Sequence, residues 1–378
     1  MKKNKIKTIY IHPGFWKCGS TFIQRFLQKN QKTLLKHGVF YPCDIESQRF
    51  HDCIVPFFSE VGNHILENRK VQAKELLNQV LATEGLYESL ILSNEDFLLP
   101  SISEHLSFLF EEHKKKFEFK IVIYLRPLIE HVVSSWAQVV STGSPQIGHY
   151  TGSLEGFIES SDFHKNVISY IEPYVSYFGK HNIILKPLEK KQFFQEDFIK
   201  DFLLTLGIED FSEFEFLEKR ENQSPDLITL EKLRHFNRFL CKIDVDWLSA
   251  VQTKHEIISA QDYRKDFKPI YSLKAPFIHK LKKIYSEVET KIAKDYCGEE
   301  KLFFDDYPLN YEDNTYSYSS LTIEDALDVQ NWMHIFCYRT MKSDVTALNA
   351  RLAVLSKEET AKINFPWLLP KVKALAFL

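Results

Sequence analysis

No two cysteines in this chain form a C-x-x-C pair. The six that exist, at positions 18, 43, 53, 241, 297 and 337, are scattered along the sequence. That argues against a zinc site or a disulfide framework and agrees with a reducing, cytoplasmic setting. No stretch approaches the ~18–20 apolar residues of a membrane span. The basic start MKKNKIKTIYIHPG has too short an apolar run before Pro13 to be a secretory signal, so it reads as a first strand. Charge of one sign is also lacking. Lys and Arg total 48 against 51 Asp and Glu, a net charge of -3, which gives no electrostatic footprint for nucleic acid, so any anion site must be local. There is no internal repeat and no low-complexity linker.

What is present is an ordinary soluble composition. Of 378 residues, 44% are hydrophobic and 26% charged, enough for a sizeable core in one large domain or two smaller ones. Residues 6–12 (IKTIYIH), 89–95 (SLILSNE), 119–126 (FKIVIYLR) and 182–189 (NIILKPLE) read as short apolar strands. Between them lie helical patterns at 20–36, 71–82, 101–116, after Pro127, and at 196–208. Ser20 is placed to cap the first helix, Gly38 to stop it, and S-x-x-E at 101–104 to form a capping box. Strand–helix alternation with continuous apolar strands predicts an α/β fold with a central, mostly parallel sheet flanked by helices in three layers. Ligands of such sheets sit beyond the carboxyl ends of the strands. There the sequence puts three polar clusters: a glycine loop, SNED and LRP. After about residue 210 the pattern turns helical, in DLITLEKLRHFNRFL, PFIHKLKKIYSEVETKIAKDY and IEDALDVQNWMHIFCYRTM. The expected division is an α/β domain at 1–310 and a helical C-terminal extension at 311–378. The apolar tail NFPWLLPKVKALAFL reads as a docked segment, with a peripheral membrane or protein contact as the alternative.

The glycine loop, IYIHPGFWKCGSTFIQRF at 10–27, carries the chemistry. Gly14, Gly19, Ser20 and Thr21 fall where a Walker A loop puts its glycines and hydroxyl, but Ser20 stands in place of the Walker lysine. The lysine is Lys17, two residues before the second glycine. Converging backbone N–H groups at a helix N-terminus hold an anion without the Walker lysine. From the loop itself, Lys17 can lie against the oxygen on which charge builds during group transfer. That placement fits a sulfate donor better than ATP.

HPGFWKCGSTFIQ resembles the 5′-phosphosulfate loop of the PAPS-dependent sulfotransferases: a lysine, a small residue, glycine, then two hydroxyl residues. Lys17, Gly19, Ser20 and Thr21 match it, and Cys18 replaces the usual Thr or Ser with the loss of one hydroxyl. The family binds the donor's 3′-phosphate with an arginine at a strand end and a serine eight residues later, and LRPLIEHVVSSW supplies Arg126 and Ser134. GVFYP, LSNEDF and HNIILKPLEKKQF are similar to the bacterial branch, so the resemblance spans roughly residues 6–240. It implies a P-loop-like fold, PAPS as co-substrate with PAP as product, no obligatory metal, and a hydroxyl acceptor, for this branch a carbohydrate or glycan precursor. It also implies that Arg220, Asn222 and Ser224, in KRENQSPD, approach the donor. The alternative for that stretch is a plain loop in which Ser224 caps the next helix.

Two residues are candidates for the base that deprotonates the acceptor: His51, in RFHDC, and Glu95, in SNEDF. Glu95 has a second reading, as a cap of the following helix or a holder of Lys17, Arg126 or a loop amide. Ser93 is a candidate for shaping the donor site, and His12 reads as structural. His131 and His149 have no pattern behind them. Phe15 and Trp16 are candidates to stack on the donor's adenine. Two other classes stay open: a divergent P-loop kinase or NTPase, for which Asp96 is the sole approximation to a magnesium ligand, and a non-catalytic binding protein on the same fold.

Overall fold

The computed structural model describes residues 7–42, 87–98, 106–143, 148–160, 166–217, 225–242, 247–259, 273–304 and 327–337, together with 74–75, 77–78, 80–81 and 325. Five strands form one sheet: β1 (Thr8–Pro13), β2 (Val39–Phe40), β3 (Ser89–Asn94), β4 (Glu118–Leu125) and β5 (Ile183–Pro187), in the order β2-β3-β1-β4-β5. Every pairing is parallel. This is the α/β architecture, a parallel sheet flanked by helices, expected from the alternation of strand and helix patterns.

The chain divides into two compact units, 1–132 with 161–223 and 279–309, and 133–160 with 224–278 and 310–378. The first holds the sheet. Its register pairs Tyr10 with Ile91, His12 with Ser93, Val122 with Ile184 and Tyr124 with Lys186, so these residues share one face. Against that face pack α1 (Ser20–Lys29), α2 (Gln31–Lys36) and a later helix, Phe198–Thr205, through Ile23, Phe26, Leu27, Leu34, Ile199, Phe202 and Leu203, all buried. A fully buried phenylalanine such as Phe202 contributes about 1.5–3 kcal/mol by burial alone. The same face carries a polar junction. Asp201 accepts hydrogen bonds from the Tyr124 hydroxyl at 2.8 Å, Lys186 Nζ at 2.9 Å and the Phe194 amide at 3.2 Å. On the opposite face, Phe119 meets Phe110 and Phe178.

The first helical stretch differs from expectation. Residues 20–36 form two helices, because Asn30 (φ -107°, ψ 19°) breaks the run. Its side chain donates to Phe26 O and Glu215 O at 3.0 Å and accepts the Glu215 amide at 2.8 Å, a set of bonds that a continuing helix would not offer. The cap differs too. Gly19, not Ser20, is the N-cap, and Ser20 Oγ instead donates to Phe15 O at 3.4 Å. Gly38 does end α2, with φ 74°. The S-x-x-E box at 101–104 lies outside the described residues, which resume as helix at 106.

After β4, α3 (Leu128–Thr142) begins in the first unit and continues into the second; α4 (Leu154–Ser160) lies in the second. They are followed by α5 (Val167–Phe178), α6 (Phe198–Thr205, the helix already met), α7 (Leu227–Leu240), α8 (Trp247–Ser259) and α9 (Ala275–Ile292). The second unit is helical. Asn237 of α7 is fully buried, and its amide donates to Val140 O and Tyr150 O, both at 2.8 Å. Lys232 is held between Asp325 and Asp328 at 2.9 and 2.8 Å, and Phe236 packs edge-on to Trp332 and Phe336. Lys254 of α8 is buried beside Asn237 Oδ1 at 3.3 Å, and burial pushes its amine down to about 8. The α7 helix is capped by Asp226, which accepts the Thr229 amide at 2.7 Å, so the cap is not Ser224. The described residues from 327 to 337 are helical, and the apolar tail lies outside the described residues.

Candidate functional site

The loop between β1 and α1 sits at the carboxyl end of the central strand. Its first amide, Gly14 N–H, extends the β1–β3 ladder by donating to Asn94 O at 3.3 Å. The chain then turns tightly. Cys18 N–H donates to Phe15 O at 3.0 Å, Lys17 adopts φ 65°, and Gly19 adopts φ 83° before the helix begins. Two glycines are required here for different reasons. A Cβ on Gly14 would overlap the Ser20 hydroxyl. A Cβ on Gly19 would lie 2.8 Å from Phe198 Cε1, in a backbone conformation that already disfavours a side chain. Phe198 is fixed in turn: it stacks on Phe22 and stands edge-on to Tyr124 at 4.9 Å.

Lys17 is the exception to the glycine rule. A left-handed conformation costs a residue with a Cβ about 1–2 kcal/mol, so its surroundings must impose it. The amine is partly buried, and that burial pushes its pKa below the usual lysine value. Nearby Glu95 opposes the shift, and the Arg126 guanidinium adds to it. Glu95 opens the short 3-10 turn after β3 and accepts a hydrogen bond from Thr21 Oγ1 at 3.3 Å. Arg126 follows β4, and its Nε donates to Glu130 at 3.0 Å. A lysine, an arginine and a glutamate that follow three neighbouring strands thus come together at the carboxyl end of the sheet.

Buried groups surround them. The Cys18 thiol is raised to about 12, chiefly by burial, so it is inert, and the Arg126 backbone N–H points to its sulfur. His12 is buried and shares a 2.7 Å hydrogen bond with Ser93 Oγ, and burial lowers it to about 3. That is the structural setting expected for His12. His131 Nε2 lies 2.6 Å from Trp16 O, and burial lowers it to about 4. No sequence signal singled out His131. Phe15 is buried against its ring, which leaves Trp16 as the partly exposed aromatic of the loop.

Ser134 belongs to the second unit. It is buried, and its hydroxyl has no hydrogen-bond partner among the described residues. An unpaired buried hydroxyl costs about 1–3 kcal/mol, so an acceptor there would be welcome. His51, Arg220, Asn222 and Ser224 lie outside the described residues, as does the side chain of Asp96. His149 lies in the second unit beside Lys254, at 3.4 Å. Among the described residues, no group of three or more His, Cys, Asp or Glu side chains is arranged to hold a metal ion. No helix among them is long and apolar enough to cross a membrane.

No family model matches the chain, and no curated protein matches it. Among solved structures it is similar to a sulfotransferase from Alicyclobacillus acidocaldarius, at 16% identity and a TM-score of 0.35, over 64% of this chain and 98% of that one. A mouse sulfotransferase in complex with PAP gives 12% identity and 0.36, over 77% of this chain and 88% of that one. The sulfotransferase domain of the curacin biosynthetic pathway gives 12% and 0.35, over 71% and 97%. At these TM-scores the likeness assigns no role to any residue here.

Proposed function

We propose that this chain is a sulfotransferase that moves a sulfuryl group from PAPS to a hydroxyl group, with a carbohydrate or glycan precursor as the acceptor. The observation that carries the reading is Lys17. It is the loop's own cation, held in a costly backbone conformation, partly desolvated, with Glu95 and Arg126 close enough to act on its charge. A lysine so placed has a task on a developing anion rather than on a resting one.

In this reading the loop amides from Lys17 to Thr21 and the start of α1 receive the 5′-phosphosulfate. Arg126 offers its guanidinium to the 3′-phosphate. Ser134 is assigned to the same phosphate by sequence pattern, and a buried hydroxyl with no hydrogen-bond partner among the described residues is the kind of donor a phosphate would satisfy. Arg220, Asn222 and Ser224 are assigned to the donor by sequence pattern alone. Lys17 neutralises the bridging oxygen as the sulfur–oxygen bond to the phosphate breaks. Glu95 takes the proton of the acceptor hydroxyl as that oxygen bonds to sulfur, with His51 as the other candidate for the base. No residue in this scheme calls for a metal. A cytoplasmic location, and contact of the C-terminal tail with a membrane surface or protein, belong to the same proposal.

The test is a comparison of thermal melts of the protein alone, with PAP, and with ATP and magnesium. A ligand at ~100 times its dissociation constant adds about 2.7 kcal/mol to the native state. Stabilisation by PAP, followed by label transfer from radiolabelled PAPS to a glycan acceptor, is the expected result. Stabilisation by magnesium and ATP alone would point to a kinase, and no shift with either would point to a binding protein.

A further inference from the structure

The strained conformation of Lys17 needs a cause outside the lysine. Two dihedrals set how its peptide sits: ψ of Trp16 and φ of Lys17 itself. Both turn about the plane that contains the Trp16 carbonyl and the Lys17 N–H. Whatever fixes the Trp16 carbonyl therefore limits the conformation of Lys17.

The group that reaches that carbonyl is the imidazole of His131, from the first turn of α3, with Nε2 at 2.6 Å from Trp16 O. A carbonyl oxygen only accepts, so Nε2 must carry a proton. The ring is buried and stands edge-on to Phe15, the residue before Trp16, at 6.5 Å between centroids. It thus contacts both the ring of Phe15 and the carbonyl of Trp16, just ahead of the lysine. The helix that carries it is anchored as well: the His131 amide donates to Pro127 O at 2.9 Å, and the Leu128 amide donates to Glu289 Oε1 at 2.8 Å. The strand end that carries Arg126 and the turn that carries Lys17 are therefore joined through one imidazole.

We infer that His131 is the positioning residue for Lys17: its Nε2–H bond to the Trp16 carbonyl fixes the left-handed turn and aims the lysine amine. It touches no reacting atom. Its effect on turnover rests on the sulfuryl-transfer reading, whereas its effect on the backbone does not.

The experiment compares His131→Phe with His131→Gln, each in the wild-type and Lys17→Gly backgrounds. Phenylalanine keeps the ring and loses the donor. Glutamine carries an amide N–H at nearly the reach of Nε2. In the enzyme, His131→Phe should lower kcat at least ~30-fold with the KM for PAPS changed less than ~5-fold, and His131→Gln should recover most of the loss. Equal loss in both variants, or a loss confined to KM, would overturn the proposal. The stability cycle needs no activity. Glycine adopts the left-handed turn unaided, so the fall in Tm caused by His131→Phe should shrink by about half in the Lys17→Gly background. Full additivity there would overturn the positional claim. If the cycle shows coupling while PAP neither binds nor supports transfer, the positioning stands and the sulfotransferase reading falls. Should His131→Phe fail to fold, His131→Leu, which also lacks the donor, carries the cycle and the pattern of kcat against KM, with His131→Gln again as the rescue.

Discussion

Thr21 Oγ1 donates to Glu95 Oε1 at 3.3 Å, joining the first turn of α1 to the turn that leaves β3. The same carboxylate opposes the downward shift that burial imposes on the Lys17 amine. Glu95 therefore does two things at once: it accepts a hydrogen bond from a hydroxyl in the first turn of α1 and favours the charged form of the nearby lysine.

Replacement of Glu95 by Gln separates those effects. The amide oxygen still accepts from Thr21, but the charge is gone. Transfer activity should fall by ~10²–10⁴-fold if the carboxylate is the base. The residual activity should lose its high-pH limb at a lower pH than the wild type, because Lys17 no longer has the carboxylate that raises its pKa. A pH–rate profile of the variant checks both. Residual activity with an unmoved high-pH limb would remove Glu95 from the neighbourhood of the lysine's charge.

Lys17 offers a test in which stability and function move in opposite directions. Lys17→Gly relieves the left-handed strain and should raise stability by about 1 kcal/mol. Lys17→Ala keeps the strain and should leave Tm nearly unchanged. Both should lose transfer by at least ~10²-fold. Denaturant melts and a transfer assay on the pair read this directly, and activity surviving in either variant would refute the role given to the lysine.

Gly19→Ala should destabilise by about 1–3 kcal/mol, since the added methyl meets Phe198 at 2.8 Å in a backbone conformation disfavoured for alanine. Trimming Phe198 to Leu in the same chain should recover part of that loss but not the part due to φ. Urea unfolding of the single and double variants gives the two shares.

Acid should weaken the fold through its buried imidazoles. Burial lowers His12 to about 3 and His131 to about 4, from an ordinary value near 6.5. The unfolded chain then binds protons that the folded chain refuses. Each ring's contribution is whole above the ordinary histidine value, falls as pH drops, and is spent once pH passes below its folded value. The slope is up to about 1.4 kcal/mol per pH unit per ring across that window. A series of urea midpoints between pH 7 and 4 should show this slope, reduced in His131→Gln. A flat series would mean that neither ring is buried in the neutral form.

Loss of Asp201 would strand the Phe194 amide and two side chains. Asp201→Ala leaves the buried Tyr124 hydroxyl and the largely buried Lys186 amine without their shared acceptor and should cost about 2–3 kcal/mol. Equilibrium unfolding is the check, and PAP binding per remaining folded molecule should be unaffected.

The sequence alone determined the sheet and the loop. Strands rich in Ile, Leu and Val between helical patterns admit little besides a covered parallel sheet, because such strands must be buried on both faces. The loop was readable because its glycines answer to local demands, a left-handed turn at Gly19 and close approach at Gly14, and because Lys17 stands out against a known pattern. Local sequence did not reveal the break at Asn30, because its cause is the backbone of Glu215, 185 residues away. Nor did it show that Ser20 gives up the cap, that Asp226 rather than Ser224 caps α7, or that His131 reaches the loop. The two caps turn on local choices among neighbouring groups, whereas the reach of His131 depends on which strand ends lie side by side, and parallel pairing brings residues 16 and 131 together only once the sheet order is set. The lysine could be found in the sequence. The histidine that aims it could be found only in the fold, because one hydrogen bond between distant segments leaves no periodicity or spacing behind.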